Sequence, residues 1–514
     1  MKGIFELGWK NSVLCAALVA LGFPPFNLWP LTWLGLFGFY RAVLDNDLLD
    51  RNVARRVGFC FALYNFCVTS FGFYWLAYTI HEFANLAWPL AGLVAVFVFA
   101  LVSIWSGLVG GLWGRYGGSL HRRHRPWALA FLLLLLDSFD TRIFPWSIVM
   151  GMGSQREFLA SVFWLGTWGW RVLFFGLLPI VYLWSRQPGL DGRRLAFRLV
   201  ALFGVVLGGA WGLGAWQISR LEARYPERQP VILIQGNIGN FQKKLTKLGV
   251  EPTVNNVLRI HGDLFDRILN ENYRGRPPEA GEAEPWYAWP ETSFPGFPVS
   301  DPGQRAWVRE RLDRTRGLHL IGAYDRAPQV EAGRRLILDF NIVALFHEAV
   351  GYVSHYEKVN LLAWGEYVPF GDRYPRLYEI FSAVNHFGRG LEAKELAHPD
   401  PEGPVFVPLI CYEILMPGFV TDFVRKAEAA YPGRDVILVN PANDSWYGPT
   451  SQPSQHSLLA RWEVARQGVP MIRPTNTGLS QVVAPWGEVL AVGPRDETTF
   501  VSGQIPVRKT LRLR

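Results

Sequence analysis

Through its first 216 residues the chain is a succession of apolar stretches, at about 12–29, 31–44, 57–80, 86–113, 126–140, 158–184 and 197–216. A helix needs ~20 mostly apolar residues to cross a bilayer, because lipid offers no partner to an unpaired backbone N–H or C=O. Seven such segments confine residues 1–216 to a transmembrane helical domain, with the second and fifth shorter than the ideal. A cleaved signal peptide does not fit the first. No small-residue cleavage site follows it, and Pro24-Pro25 leads straight into the next apolar run.

Charge supplies direction. The net charge is +8, yet residues 1–216 hold 17 Lys/Arg against 9 Asp/Glu, while residues 217–514 hold 34 of each. A nucleic-acid binder gathers its basic residues on a soluble face; here they sit between apolar runs, which excludes nucleic acid as a partner. Lys2 and Lys10, then Arg41, Arg51, Arg55 and Arg56, then Arg115 to Arg125, then Arg186 to Arg198 fall in every other connection, and the intervening connections are nearly bare. Basic loops stay on the cytoplasmic side. The N-terminus is therefore expected inside, and everything beyond about residue 217 outside after seven crossings. Within the spans, Asn65 and Arg171 read as interhelical hydrogen-bonding groups or as the lining of a lipid pocket. Trp29, Trp33, Trp75, Tyr78, Trp88, Trp113, Trp127 and Trp184 read as interfacial belts.

From residue 230 the texture changes to short β-branched runs: 231–235, 318–322, 341–346, 405–411 and 436–440. Helical patterns at about 253–273, 303–316 and 451–467 alternate with them, which predicts a layered α/β domain over 230–505. A linker is expected at 217–229, a surface loop at 275–285 and a basic tail at 506–514. Cys15, Cys60 and Cys67 lie in the apolar segments, so Cys411 is the one thiol of the second domain. It has no disulfide partner there, and metal-ligand spacing is absent, so no metal is expected. A lone strand-end cysteine is ordinarily a core residue.

Its company changes that reading. A thiol nucleophile needs a base and a positive or donor group where an oxyanion forms. Three strand-end motifs carry such groups: Trp289-Pro290-Glu291-Thr292, Tyr356-Glu357-Lys358 and Ile410-Cys411-Tyr412-Glu413. In one coherent scheme Glu291 takes the thiol proton, the Cys411 thiolate attacks an acyl carbonyl and Lys358 stabilises the oxyanion. Neither a P-loop nor a dinucleotide fingerprint is present, so no cofactor is expected.

This series resembles the Glu-Lys-Cys triad of the nitrilase (carbon–nitrogen hydrolase) superfamily. Trp364-Gly-Glu-Tyr-Val-Pro-Phe-Gly371, Asn443-Asp-Ser-Trp-Tyr-Gly448, the Gln455, His456 and Arg461 helix, Arg473-Pro-Thr-Asn-Thr-Gly478 and the multi-span first domain are similar to the bacterial apolipoprotein N-acyltransferases. The resemblance implies a helical membrane bundle followed by a nitrilase-like αββα sandwich, in a bacterial inner membrane with the second domain on the periplasmic side. It implies transfer of a fatty acyl chain from a phospholipid to the α-amino group of an S-diacylglyceryl-cysteine apolipoprotein. Cys411 would be the nucleophile, Glu291 the general base and Lys358 the oxyanion-stabilising cation. Glu366 would be a second essential carboxylate orienting Lys358 or the amine. Tyr412 and Glu413 would shape the site, with the Tyr412 N–H a second oxyanion donor.

Leu361, Trp364, Tyr367, Phe370, Trp446 and Tyr447 are too apolar for ordinary solvent loops; they are expected as lipid-contacting arms or as loops packed on the core. His456, Asn443, Asp444, Arg461 and Arg473 are expected as scaffold or pocket wall. The family usually ends in a further transmembrane helix, whereas residues 504–514 here cannot span a bilayer. The C-terminus is therefore expected outside, against anionic headgroups or disordered. Two alternatives are a membrane-tethered amidase, in which water resolves the thioester, and a non-enzymatic scaffold.

Overall fold

The computed structural model describes residues 7–46, 52–84, 86–139, 145–239, 251–331, 333–381 and 384–513. It forms two compact units, Met1–Ile218 with Pro449–Trp462, and Ser219–Gly448 with Glu463–Arg514.

The first unit is helical: α1 (Trp9–Ala20), α2 (Trp29–Asp45), α3 (Val53–Gly72), α4 (Leu76–Ala84), α5 (Trp88–Tyr116), α6 (Arg125–Phe139), α7 (Arg156–Ser185) and α8 (Gly192–Arg224). Helices α5, α7 and α8 are long and apolar enough to cross a membrane, and a fourth span exists if α3 and the start of α4, bent by 60°, count as one. The other three expected spans are helical but short, with 12 residues in α1, 17 in α2 and 15 in α6. Small residues set the α3–α5 crossing: a Cβ on Gly114 would lie 2.7 Å from Ala54 Cα, and one on Gly58 2.9 Å from Gly107 O. Helices in lipid associate through such close approach.

Arg171 on α7 is an interhelical group. Its Nε donates to Asp137 Oδ2 on α6 at 2.8 Å and to Ser147 Oγ at 3.2 Å. Asn65 lines a cavity of about 60 Å³ together with Tyr64 and Asp137. The aromatic belt is only partly one. Trp33, Trp75 and Trp113 are buried, Trp33 donating to Phe174 O at 3.3 Å and Trp75 to Gln455 Oε1 at 2.9 Å. Trp33 and Trp75 are packing residues whose indole N–H groups have partners inside the unit. Gln455 and Trp462 belong to this unit although they lie far along the chain; Gln455 donates to Gly72 O at 2.8 Å and Trp462 to Thr167 Oγ1 at 2.9 Å.

The second unit contains two sheets. The strands are β1 (Glu227–Gln235), β2 (Trp286–Ala288), β3 (Leu318–Glu331), β4 (Arg334–His347), β5 (Gly351–Glu357), β6 (Leu396–Ala397), β7 (Val405–Pro408), β8 (Val436–Val439), β9 (Met471–Arg473), β10 (Gln481–Val483), β11 (Val489–Val492) and β12 (Thr499–Val507). Their orders are β12-β1-β2-β3-β4-β5 and β6-β7-β8-β9-β10-β11. Read in those orders, both sheets show one antiparallel, two parallel and two antiparallel pairings. They pack face to face, with Trp286 edge-on to Phe406 at 5.4 Å.

Helices cover the outer faces. In α9 (Glu251–Tyr273), Val257, Leu264, Phe265 and Ile268 recur at helical spacing and are buried. Leu264, Phe265 and Ile268, with Val308 and Leu312 of α10 (Pro302–Thr315), pack on Tyr287, Ile321 and Ile342, each worth ~1.5–3 kcal/mol of burial. Asp301 caps α10 by accepting the Gln304 N–H, ahead of Pro302 in the first turn. On the second sheet α12 (Pro417–Ala430) buries Val420, Phe423, Val424 and Ala427. The short α11 (Arg376–Ile380) precedes it in the chain, and α13 (Gln452–Gln467) follows, its residues up to Trp462 belonging to the helical unit.

Two boundaries differ from expectation. The stretch 217–229 is no loose linker, because α8 runs to Arg224 and β1 begins at Glu227. Residues 506–513 are no free tail either: β12 pairs with β1 along its length, Leu511 N–H donates to Gln229 Oε1 at 2.7 Å, and Leu513 N–H to Glu282 O at 2.9 Å. Leu511 and Leu513 are buried, so the alternation of basic and leucine residues is a half-buried extended pattern.

Candidate active site

The candidate side chains sit at strand ends. Glu291 follows β2, Lys358 follows β5, Cys411 follows β7, and Asn443 and Asp444 follow β8. The turns that present them are strained, with Cys411 at φ 53° and Thr292 at φ 45°, a region that costs a non-glycine residue about 1–3 kcal/mol. One glycine makes room for such a turn. A Cβ on Gly322 of β3 would fall 2.0 Å from Pro290 O and 3.0 Å from Glu291 Cα, so the Pro290-Glu291 turn can lie on β3 only where a side chain is absent.

Lys358 is the hub. Its Nζ donates to Glu366 Oε1 at 2.8 Å and to Glu291 Oε1 at 3.3 Å. Asn341, on β4, donates its amide to the same two atoms, at 2.7 Å to Glu291 Oε1 and 3.1 Å to Glu366 Oε1. Glu366 Oε2 accepts the Leu362 N–H at 2.8 Å. All four side chains are buried, Lys358 with 2% exposure. Burial alone would depress the Lys358 ammonium, but Glu366 and Glu291, then Cys411 and Glu413, outweigh it and hold it well above the ordinary lysine value. The Cys411 thiol moves up as well. Burial raises it first, Glu291 adds to the rise, and Lys358 opposes it.

Glu413 ties the cysteine turn to the lysine strand. Its Oε1 accepts from Tyr356 Oη at 2.8 Å, Asn360 N–H at 2.9 Å and Val359 N–H at 3.1 Å, and its Oε2 from Ile410 N–H at 2.8 Å. Burial pushes this carboxyl up to about 7 against the pull of Lys358 and those donors. Asn440 steadies the same turn, its amide donating to Cys411 O at 2.9 Å. Arg473 holds Asn440 Oδ1 and reaches Asp444 Oδ2 at 3.1 Å.

The six apolar residues expected as arms divide. Trp364 and Phe370 are 52% and 76% exposed and sit at φ 65° and 63°. Leu361 is buried against Tyr324 and Phe387, with Tyr367 at the edge of that cluster. Tyr447 is buried, and Trp446 is half-buried, as is Tyr412. His456 is buried in the helical unit. Asn341, Asn440 and Tyr356 carry much of the geometry and were not singled out from sequence. A polar Asn inside the apolar run 341–346 was the available signal, since a buried amide implies a bonded partner.

Two groups among the described residues have the composition of a metal site, Glu284 with His347 and His398, and Glu331 with Asp372 and His386. In the first, Nδ1 of each ring accepts a backbone N–H, from Ala349 at 3.2 Å and Asp400 at 3.0 Å. Each Nε2 therefore carries the proton and donates to Glu284, at 3.0 and 3.1 Å. Protonated nitrogens cannot ligate, so the trio is a hydrogen-bonded staple.

A buried carboxylate–lysine–cysteine set at strand ends of a two-sheet sandwich defines a carbon–nitrogen hydrolase, and residues 288–513 match the Carbon-nitrogen hydrolase family model. Residues 15–173 match the Apolipoprotein N-acyltransferase N-terminal domain. Along nearly its whole length the chain is similar to the apolipoprotein N-acyltransferases, the membrane-bound branch of that superfamily, and it is an acyltransferase. It is 26% identical to the apolipoprotein N-acyltransferase of Bdellovibrio bacteriovorus, over 98% of this chain and 88% of that protein. It is 27% identical to that of Pseudomonas aeruginosa, over 98% and 92%. Among solved structures, a carbon–nitrogen hydrolase from Helicobacter pylori aligns at 15% identity with 55% of this chain and 89% of that one, at a TM-score of 0.36.

Proposed function

We propose that the chain transfers a fatty acyl chain from a phospholipid to the α-amino group of a diacylglyceryl-cysteine lipoprotein, through a thioester on Cys411. The observation that carries this reading is the sharing of one buried ammonium by two carboxylates, Glu291 and Glu366. Glu366 is engaged through both oxygens, by Lys358 and Asn341 on one and Leu362 N–H on the other, which suits a positioning group. Glu291 meets the same ammonium and amide through Oε1 and its charge bears on the Cys411 thiol, which suits a base.

Glu291 takes the proton as Cys411 Sγ attacks the ester carbonyl. Lys358, with the Tyr412 N–H as second donor, stabilises the oxyanion. Collapse expels the lysophospholipid alkoxide, which recovers the proton from Glu291 and leaves the thioester. A neutral amine then attacks, Glu291 accepts its proton, and the tetrahedral intermediate collapses to the amide as Cys411 leaves and regains its proton. Ping-pong kinetics follow. The exposed Trp364 and Phe370, with Tyr374, Ile380 and Phe381 exposed on the same stretch that carries Glu366, support a lipid donor, since exposed apolar side chains suit contact with an acyl chain. The alternation of basic loops supports an N-terminus in the cytoplasm, seven crossings and a catalytic domain outside the inner membrane.

The test uses purified protein, labelled phospholipid and then a diacylglyceryl-cysteine peptide. Labelled enzyme that is absent in Cys411→Ser and discharges to the peptide supports the transferase. Discharge only to water supports an amidase, and no labelled enzyme supports a scaffold.

A further inference from the structure

Helix α8 is pinned at one end and stands away from its unit at the other. A Cβ on Gly214 would lie 1.8 Å from Glu157 O, whereas at Gly204, Gly208 and Gly209 nothing lies within 4 Å. At the pinned end Trp164 Nε1 donates to Gln217 Oε1 at 3.0 Å; toward the other end Phe197 and Val200 are 75% and 73% exposed. The divergence opens a cleft of about 340 Å³ between α2, α7 and α8, lined by Trp33, Leu177, Val181, Leu199, Phe203 and Leu207 among others. Its walls are apolar: the Trp33 N–H is taken up by Phe174 O and its ring meets Phe203 edge-on at 5.1 Å.

The cleft begins where a basic cluster ends. Arg193, Arg194 and Arg198 surround Phe197 on the first turns of α8, immediately before Leu199. Arg198 donates to the neutral Gln187 at 2.7 Å and lies over the Trp184 ring, and Arg194 meets Asp191 at 3.5 Å, both exposed. Among the described residues one carboxylate, Asp191, is paired with these three guanidinium groups. From Leu199 to Leu207 the cleft follows about 12 Å of helix. It is roughly twice the ~150 Å³ of an apolar cavity that takes up benzene, and too small for a second helix of ~10–12 Å diameter.

We propose that this is a binding site for an anionic phospholipid, its phosphate on Arg193, Arg194 and Arg198 and one acyl chain in the cleft. Charge complementarity selects the occupant, since a basic cluster beside apolar helices attracts anionic headgroups. The cleft is built from the helical unit alone, whereas Cys411 belongs to the other unit, and the proposal does not depend on the acyl-transfer mechanism.

The test is native mass spectrometry of the full-length protein released from nanodiscs holding equal phosphatidylglycerol and phosphatidylethanolamine of the same chain length. Retained phosphatidylglycerol should exceed phosphatidylethanolamine on the order of tenfold. Arg193→Gln/Arg194→Gln/Arg198→Gln should abolish the preference while leaving lipid bound, and Val206→Trp, which fills the cleft, should lose bound lipid of both kinds. Arg115→Gln/Arg122→Gln/Arg123→Gln should change nothing. Equal retention of the two lipids by the unaltered protein, an equal loss of preference in the last variant, or a dimer that added lipid dissociates would each overturn the assignment.

Discussion

Removing the shared cation separates its ion pairing in the structure from the oxyanion role proposed for it. Glu291 and Glu366 present their Oε1 atoms to one Asn341 amide and one Lys358 ammonium. With the thiol protonated, these groups carry one positive and two negative charges. Lys358→Met leaves two carboxylates and no cation in a buried site. Breaking a buried ion pair by removing one partner costs about 3–5 kcal/mol. The pH dependence is diagnostic. In the unaltered protein the Lys358 value is raised on folding, so its contribution is complete below the unfolded lysine value of ~10.4 and flat across neutral pH. In the variant two adjacent carboxylates cannot both ionise readily, so one takes up a proton on folding and stability falls as pH rises above ~4.3. Adding Glu366→Gln removes one of the two negative charges and should restore most of the stability. It should not restore acyl-enzyme formation, which loses roughly 10²–10³-fold with an oxyanion donor. Denaturant unfolding across mildly acidic to neutral pH and labelled-phospholipid kinetics give both quantities. Glu413, raised to about 7, gives the unaltered protein a fall of its own in this window, so a pH profile of Lys358→Met no steeper than that of the unaltered protein would refute the charge argument. Recovery of the rate in the double variant would refute the oxyanion role.

Further expectations follow from the same contacts. Burial and Glu291 hold the Cys411 thiol well above its ordinary value, so alkylation by iodoacetamide should be slow near neutral pH and climb with pH past ~8.5 without levelling. Glu291→Gln removes an anion that raises the thiol, so it should speed alkylation while abolishing acyl transfer; slower alkylation in that variant contradicts the assignment. Gly322→Ala would drive a methyl into Pro290 O, costing about 1–3 kcal/mol and lowering kcat through the displaced Glu291; unchanged kcat would show that the turn yields freely. In the helical unit Asp137→Ala strands the Arg171 guanidinium, with an expected loss of about 3–5 kcal/mol read as earlier thermal unfolding in detergent, and Asp137→Ala/Arg171→Met should recover much of it. Trp364→Ala should slow acyl transfer and leave the unfolding midpoint in place, because Trp364 is half exposed.

How much of this could be read from the chain depends on the kind of signal. The acids and bases of the site stood at strand ends, where an apolar run stops and a polar group must be presented, so Glu291, Lys358 and Cys411 were visible as candidates. Asn341 and Asn440 were not, because each is one polar residue in a β-branched run, and only strand register decides whether it faces solvent or a buried carboxylate. The final residues misled for a related reason. Arg508, Lys509 and Arg512 dominate the composition, while Leu511 and Leu513 are buried and donate their N–H groups to Gln229 and Glu282. Trp33 and Trp75 lie near span ends in sequence, and only tertiary structure shows their indoles turned inward.

The charge count also constrains the second half of the proposed reaction. Moving a proton from Cys411 to Glu291 leaves the total charge of the cluster unchanged, with one cation and two anions before and after. Each later step up to the thioester shifts that charge between the thiolate, the oxyanion and the departing alkoxide, so the buried site is never asked to hold an added charge. An acceptor entering as an ammonium would break this balance and would find Glu366 already committed to Lys358 and Leu362. The amine must therefore lose its proton before it enters. Discharge of preformed acyl-enzyme to a peptide amine should rise with pH through the ordinary α-amino range of ~7.7–8.0, and formation of the acyl-enzyme from phospholipid should show no step there. Single-turnover measurement of the two half-reactions decides it, and a discharge rate that stays flat through that range would mean that the enzyme admits the charged amine and deprotonates it within the site.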